Sequence, residues 1–191
     1  MLSEQAEKLK LLANLVVKSN KKHNLTSATS TQQFYNRHIE DCIQALGAAE
    51  AALYETVIDC GSGAGLPGLV WATLKPEKSF YTVDSNRKKT AFQKLAIREL
   101  GLTNTTAINE RIQNTALKEE NTLVFKAFSS IKEGALSINK ENNHKNMLFL
   151  KNDNEKTKQE ITETASLLYD YKRHEYVSNG TKMVVLELYD N

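Results

Sequence analysis

The chain has 191 residues, of which 40% are hydrophobic and 25% charged, and its formal net charge is only +2. These values are typical of a globular protein with one ordinary domain and a short extension, so global disorder is excluded. The balanced charge excludes a histone-like polycation, and any nucleic-acid site must be a local basic face. Neither an apolar run long enough to span a bilayer nor a signal peptide is found in the sequence. We therefore expect a cytoplasmic protein with no membrane partner.

Cysteine usage sets a second limit. Cys42 and Cys60 are the two cysteines of the sequence, too few for a disulfide framework and without a histidine at the spacing of a zinc site. We expect both thiols to be reduced and buried, and no metal to be required.

The first 50 residues have helical patterns. Apolar residues recur at steps of three and four from Leu2 to Val16, which predicts an amphipathic helix. A polar stretch from Ser19 to Ser30 interrupts the pattern before a second helix from Phe34 to Leu46, and Gly47 is expected to end that helix.

After Thr56 the pattern changes to short apolar runs that alternate with amphipathic segments, which indicates βαβ units and a parallel sheet. Asn179-Gly180 lies between the last two runs and is typical of a hairpin, so the sheet should end antiparallel. Residues 1–50 are thus expected to form a helical extension and residues 51–191 an α/β domain with a mostly parallel, seven-stranded sheet. The predicted strands are Thr56–Cys60, Ser79–Val83, Thr105–Ile108, Leu123–Phe128, Met147–Leu150, Tyr169–Val177 and Lys182–Tyr189, and the Asn- and Lys-rich stretch from Asn139 to Lys158 is expected to form mainly solvated helix ends and loops.

A glycine-rich loop is the main chemical signal. Four of the eight glycines lie between Gly61 and Gly68, directly after a strand and before a helix. Glycine permits close backbone approach to a ligand, and the following helix presents free N–H groups. An ordinary turn would need only one or two glycines. Asp84 ends the second strand, where an acidic residue binds ribose hydroxyls, although capping of the next helix is also compatible with its position.

Gly63–Gly68 also satisfies the G-x-G-x-x-G pattern of dinucleotide-binding proteins. A dinucleotide fold needs a second mononucleotide-binding half, whereas here one sheet that ends in a hairpin uses all of the chain after Thr56. One nucleoside therefore fits better than two, and a nicotinamide dehydrogenase is disfavoured.

These features together resemble a known family. The glycine loop, the acidic end of the second strand and the terminal hairpin resemble class I S-adenosylmethionine-dependent methyltransferases, which have a Rossmann-like fold. More narrowly, residues from about 5 to 112 resemble the bacterial small-subunit ribosomal RNA guanine-N7 methyltransferase G family, also called glucose-inhibited division protein B. The matching stretches are Asn24–Thr26, Arg37–Cys42, Gly61–Gly68, and Val83–Ser85 with Lys88, Lys89 and Phe92.

The resemblance implies methyl transfer from S-adenosylmethionine to a guanine of 16S ribosomal RNA, with the RNA or the ribosomal particle as partner. We expect the protein to be a monomer. Guanine N7 carries no proton to be removed, which agrees with the absence of a convincing catalytic triad or paired-carboxylate arrangement in the sequence.

The resemblance also implies roles for individual residues. It places Lys126 where the methyl group meets its acceptor, with Arg37 and His38 as further catalytic candidates, although a packing role for His38 is equally compatible. The cofactor-binding residues are expected to be Asp59, Gly61, Ser62, Gly63, Gly65, Leu66, Asp84, Ile112, Gln113 and Lys126. RNA contacts are expected from Lys18, Lys21, Lys22, Asn24, Arg37 and Lys151, although the run Lys18–Lys22 could equally be a solvated face.

The sequence departs from the family pattern at Gln113, Asn121, Lys126 and Asn152, where the family usually has Glu, Asp, Arg and Gly. Two alternatives therefore stay open. The first is a relative that binds RNA or the cofactor but has lost catalytic activity through these changes. The second is a small-molecule methyltransferase on the same scaffold. The second alternative predicts an apolar insertion over the active site, and no such insertion is found in the sequence.

Overall fold

The computed structural model describes residues 2–139, 141–167 and 169–190, without the side chains of Lys21, Lys22, His23 and Ala165. The strands are β1 (Thr56–Cys60), β2 (Ser79–Val83), β3 (Thr105–Ile108), β4 (Asn121–Lys126), β5 (His144–Asn152), β6 (Asp170–Ser178) and β7 (Thr181–Tyr189). The α-helices of the described residues are α1 (Ser3–His23), α2 (Thr31–Phe34), α3 (Glu40–Ala49), α4 (Gly68–Leu74), α5 (Arg87–Leu100), α6 (Ile131–Leu136) and α7 (Glu155–Thr164).

All of the strands join in one seven-stranded sheet of order β3-β2-β1-β4-β5-β7-β6. β1 pairs in parallel with β2 on one side and with β4 on the other, and β7 runs antiparallel between β5 and β6. The chain order therefore reverses between β1 and β4, and in open α/β sheets ligands bind outside the carboxyl ends of the strands at such a reversal. The predicted mostly parallel sheet with a terminal hairpin is confirmed.

The N-terminal helices pack on this sheet. Leu12 and Val16 of α1 are fully buried in the same apolar cluster as Val57 of β1 and Phe92 of α5, and burial of each such side chain contributes about 1.5–3 kcal/mol. α2 continues through a π-helical segment, residues Tyr35–Ile39, into α3. None of the helices in the described ranges is long and apolar enough to cross a membrane.

Both cysteines are free and buried, as expected. The carbonyl of Cys42 accepts a 2.8 Å hydrogen bond from the indole nitrogen of Trp71, so this bond joins α3 to α4. Burial raises the pKa of both thiols well above the ordinary value. Both side chains are therefore neutral packing groups.

Two predictions about the helical region are wrong. α1 runs to His23, beyond the start of the predicted polar interruption at Ser19. Gly47 does not end a helix, because α3 continues through it to Ala49. The backbone explains the second difference, since Gly47 does not have the positive φ with which a glycine commonly ends a helix.

The carboxy-terminal half also differs in its strand bounds. β5 covers nine residues of the Asn- and Lys-rich stretch that was expected to form mainly helix ends and loops. Asn146 is buried within it, and its amide donates hydrogen bonds of 2.8 Å to the carboxylate of Glu187 and to the carbonyl of Ala52. Partners distant in sequence thus accept both hydrogen bonds of the Nδ2 group of a side chain whose polarity argues for a loop. β4 ends at Lys126 rather than Phe128, because Ala127 adopts a φ of 52° and leaves the strand.

Candidate active site

The glycine loop connects β1 to α4 at the carboxyl edge of the sheet. The backbone N–H groups of Gly61 and Ser62 donate to the carbonyl of Val83 at 2.8 and 3.1 Å, which fixes the loop to the end of β2. Gly65 has a φ of 82°, and a side chain there would overlap that of Leu69. Glycine is therefore required at position 65 both by the left-handed backbone and by the close packing of α4.

Asp84 holds this loop from the neighbouring strand. Its Oδ2 accepts a 2.9 Å hydrogen bond from the Gly63 N–H, and its Oδ1 accepts a 2.8 Å bond from the Asn86 N–H. A carboxylate has about four acceptor positions, so each oxygen keeps capacity for a hydroxyl group. The helix cap falls instead to Asn86, whose side chain accepts from the N–H of Lys88 at 2.9 Å.

Polar groups without a partner lie at the base of the loop. Asp59 is buried, and its Oδ2 accepts a 2.8 Å bond from the Gly68 N–H, while Oδ1 has no hydrogen-bond partner among the described residues. Ser62 Oγ is also buried and has no hydrogen-bond partner in the described part of the chain. Burial raises the pKa of Asp59 to about 7, despite the hydrogen bond from Gly68. Unpaired buried polar atoms are unusual in proteins, and these two lie within or directly against the glycine loop.

Three cavities open at this edge of the sheet. The strand cavity, of about 150 Å³, is lined by residues that include Gly61, Asp84, Ile112, Gln113 and Phe128. The loop cavity, of about 290 Å³, shares Gly61 with it and is lined by Ser62, Gly63, Leu66, His38 and Lys126 among others. The hairpin cavity, of about 310 Å³, is lined by residues that include Arg37, His38, Asp41, Lys126 and Asn179. Together the three cavities have a volume typical of a small-molecule site with adjoining space for a second molecule.

His38 and Lys126 line both the loop cavity and the hairpin cavity, so the two meet at these side chains. Lys126 Nζ lies 3.0 Å from Oδ2 of Asp41. Burial acts to lower the pKa of Lys126, but the negative charge of Asp41 and the hydrogen bond that the ammonium donates to it raise the pKa above the ordinary value. The ammonium group is therefore charged at neutral pH.

His38 contributes no charge at this junction. Burial lowers the pKa of His38, and the nearby cations Lys126 and Arg37 lower it further. The imidazole is therefore neutral at pH 7. It lies in the π-helical segment beside Phe34, with the ring centroids 5.1 Å apart. Such segments occur frequently at functional sites.

The predicted cofactor residues fall into three groups. Asp59, at the end of β1, and Gly65, within the loop, line none of the three cavities and support the loop conformation. Those that line the strand cavity are Gly61, Asp84, Ile112 and Gln113. Those that line the loop cavity are Gly61, Ser62, Gly63, Leu66 and Lys126.

The predicted RNA-binding residues are less uniform. Arg37, Lys18 and Asn24 are exposed, and Arg37 lines the hairpin cavity. The side chains of Lys21 and Lys22 lie outside the described residues. Lys151 is paired within the protein: its Nζ lies 2.9 Å from Glu160 Oε2 and donates a 2.8 Å bond to the Ser129 carbonyl.

The departures from the family pattern lie in different places. Gln113 and Asn152 line the strand cavity and the hairpin cavity. Asn121 begins β4 at the opposite end of the strand from Lys126, and its side chain donates to Asn142 Oδ1 at 2.7 Å. The change at Asn121 therefore lies away from the candidate site.

Several residues of this site were not predicted from the sequence, among them Asp41, Lys89, Phe128 and Tyr176. Asp41 and Lys89 belong to the stretches that resemble the family, and this resemblance is the sequence signal that could have identified them as site residues. Phe128 was assigned to a strand and instead lines the strand cavity. Tyr176, which donates a 3.0 Å bond to Asp41 Oδ1 from β6, left no signal in the sequence.

The sheet order, the antiparallel β7 and the glycine loop after β1 define the fold of class I methyltransferases. A solved structure described as human methyltransferase 10 domain containing protein has this fold, with a TM-score of 0.60 at 10% identity and coverage of 98% of both chains. The family follows from the sequence: the chain matches the family described as rRNA small subunit methyltransferase G over residues 5–185, and it belongs to that family. The fold and the family resemblance predicted above are both confirmed.

Relatives with the description "Ribosomal RNA small subunit methyltransferase G" agree with this assignment. The chain is 37% identical to that of Brachyspira hyodysenteriae over 159 residues, which are 82% of this chain and 76% of the relative. It is 36% identical to that of Chromohalobacter salexigens over 125 residues, 65% of this chain and 59% of the relative. In seven of eight such curated relatives the matched stretch spans less than two thirds of the relative's own length.

Proposed function

We propose that the protein transfers a methyl group from S-adenosylmethionine to N7 of a guanine in 16S ribosomal RNA. The observation that carries this proposal is the meeting of the loop cavity and the hairpin cavity at His38 and Lys126. A cofactor held in the first and a base held in the second would face each other across these two side chains. Membership of the family supplies the class of the substrate.

The residues present fit the cofactor. The two Asp84 oxygens each have one N–H partner and can accept from two ribose hydroxyls as well. Ile112 and Phe128 give the strand cavity apolar walls suited to an adenine ring. Ser62 lines the loop cavity, and its buried Oγ has no hydrogen-bond partner among the described residues. When bound, the cofactor supplies an electrophilic methyl group on a sulfonium sulfur.

The chain's own task is positioning. Guanine N7 carries a lone pair and no proton, so no general base is needed, and orientation of two reactants can supply roughly 7–11 kcal/mol of a barrier. His38, kept neutral by burial and by adjacent cations, can accept or donate one hydrogen bond without adding charge. Lys126, fixed by Asp41, can donate a hydrogen bond to the base.

The partner is a loop of the small-subunit RNA, as naked RNA or in the ribosomal particle. Guanine N7 lies on the Hoogsteen edge, which is hidden in the deep major groove of A-form RNA and accessible in a splayed loop. Arg37, Lys89 and Arg111 each line one of the three cavities and provide cations for phosphates around the target. Lys18, Lys21, Lys22 and Asn24 remain proposed RNA contacts, whereas we propose a structural role for Lys151, which is paired with Glu160. We also propose a cytoplasmic monomer.

Mapping of 7-methylguanine in 16S ribosomal RNA tests this proposal. RNA from cells with the protein, without it, and with the Lys126→Ala variant is cleaved at 7-methylguanine and the fragments are compared. We expect one cleavage site that disappears in the cells without the protein and is weakened with the variant. Identical patterns with and without the protein would refute the proposed reaction and favour the non-catalytic alternative.

A further inference from the structure

Asp41 joins three separate parts of the fold. It lies in the first turn of α3 and is 5% exposed. One oxygen lies 3.0 Å from the ammonium of Lys126 at the end of β4, and the other accepts a 3.0 Å hydrogen bond from the Tyr176 hydroxyl on β6. Both oxygens are thus engaged, so the carboxylate is fixed in position relative to Lys126.

The positive charge of Lys126 would repel the positively charged cofactor. Lys126 lines the loop cavity, as does a second cation, Lys89, and Arg37 lines the adjoining hairpin cavity. S-adenosylmethionine carries a positive charge on the sulfur that bears the methyl group, whereas the product S-adenosylhomocysteine has a neutral thioether. Repulsion between two cations in a partly buried site is several times stronger than in bulk water.

We propose that Asp41 is a positioning residue that neutralises Lys126, and that Tyr176 holds Asp41 in place for this task. This inference rests on the proposed function. With Asp41 present, the cavity receives the cationic cofactor beside an ion pair instead of beside an isolated ammonium group. The effect is specific for charge, and loss of Asp41 weakens binding of the sulfonium form more than binding of the thioether form.

Calorimetric titration with each of the two ligands measures this difference directly. The Asp41→Asn variant keeps the size of the side chain and removes its charge. We expect its dissociation constant for S-adenosylmethionine to rise on the order of tenfold more than that for S-adenosylhomocysteine. Asp41→Asn combined with Lys126→Met also removes the ammonium group that Asp41 neutralises, so the ratio of the two constants should return close to the wild-type value.

A matched control is the Glu120→Gln variant, which breaks the 2.9 Å ion pair with Lys145 outside the three cavities. It should leave the ratio unchanged. Tyr176→Phe is a second variant for the case in which Asp41→Asn does not fold, and it should shift the ratio in the same direction by a smaller factor. Thermal unfolding of every variant verifies that the titrated protein is folded.

The outcomes distinguish failure of the proposed function from failure of the inference about Asp41. A wild-type protein that binds neither ligand refutes the proposed function, and the inference with it. A wild-type protein that binds both, with variants in which the two affinities fall by the same factor or do not change, overturns only the inference and makes Asp41 a structural residue. Failure of the Lys126→Met substitution to restore the ratio in the folded double variant also overturns it.

Discussion

The backbone N–H of Gly63 donates a 2.9 Å hydrogen bond to Oδ2 of Asp84, which lies 21 residues further along the chain. The carbonyl of Gly63 accepts a 2.9 Å bond from Gln93 on α5. Both backbone groups of this glycine are thus engaged by elements that follow the loop. Asp84 consequently has two tasks, because the side chain proposed to bind the ribose also fixes the loop that would lie against the cofactor.

The substitution Asp84→Ala should weaken both functions of this carboxylate. We expect the affinity for S-adenosylmethionine to fall by at least about 1.5 kcal/mol, the scale of a hydrogen bond to a charged group. The free energy of unfolding should fall as well, because the N–H groups of Gly63 and Asn86 lose their acceptor. Calorimetric titration and urea unfolding measure the two effects, and an unchanged affinity in a folded variant would remove the ribose role from Asp84.

Gly65→Ala should destabilise the protein more than Gly101→Ala. Both glycines have positive φ values, 82° and 62°, but a side chain at Gly65 would overlap Leu69 whereas one at Gly101 meets no atom within 4 Å. The Gly101 variant therefore measures backbone strain alone, about 1–2 kcal/mol, and overpacking should add about 1–3 kcal/mol at Gly65. Equal losses in urea unfolding would show that Leu69 moves aside without cost.

Lys151→Met tests whether the predicted RNA contact is instead a structural residue. Lys151 holds the Ser129 carbonyl, and its partner Glu160 accepts a 3.2 Å bond from the Ile131 N–H, so the pair fixes the segment that contains Phe128. We expect the free energy of unfolding to fall by about 3 kcal/mol, the scale for removal of one partner of a buried ion pair, and the cofactor affinity to fall with it.

Binding of a fluorescent 16S ribosomal RNA fragment to the Lys151→Met variant provides the opposing readout. The variant should bind the fragment with an affinity close to that of the wild type, provided that the protein is folded at the assay temperature. A large loss of RNA affinity with unchanged stability would restore Lys151 to the RNA-binding surface.

Asp59 should make the stability depend on pH. Burial raises its pKa to about 7 in the folded protein, whereas an aspartate in the unfolded chain titrates near 4. Between about pH 4 and 7 the folded state binds more protons, so the contribution of Asp59 to the free energy of unfolding is largest at low pH and decreases as the pH rises. Between pH 5 and pH 8 the free energy of unfolding of the wild type should fall, relative to that of Asp59→Asn, by on the order of 2 kcal/mol. A difference that is constant over this range would show that Asp59 keeps an ordinary pKa.

Much of the sheet could be predicted from local sequence. The bounds of β1, β2 and β3 agree with the predicted strands, because short apolar runs bounded by turn residues specify buried parallel strands. The terminal hairpin also followed from local chemistry, since Asn179 and Gly180 adopt the positive φ values of 48° and 74° that a tight hairpin turn requires. β5 could not be predicted over its full length, because the hydrogen bonds donated by Asn146 within it go to partners distant in sequence.

The candidate site divides in the same way. The glycine loop and Asp84 lie within one short motif, so their proximity to each other is encoded locally. The bond between Tyr176 and Asp41 joins residues 135 positions apart, and no periodicity or spacing predicts it. The pairing of Lys151 with Glu160 likewise depends on how α7 packs against β5, so a lysine at a strand end looked available for RNA when it is engaged within the protein.

Methylation of purified ribosomal RNA is the sharpest test of the proposed reaction. The protein is incubated with radiolabelled S-adenosylmethionine and either unmodified 16S ribosomal RNA or small-subunit particles, and the nucleosides are separated after digestion. We expect the label to enter 7-methylguanosine at one site, and Lys126→Ala to reduce incorporation while the protein remains folded. Label in a different methylated nucleoside, or no incorporation into either substrate by a protein that binds the cofactor, would contradict the proposed reaction.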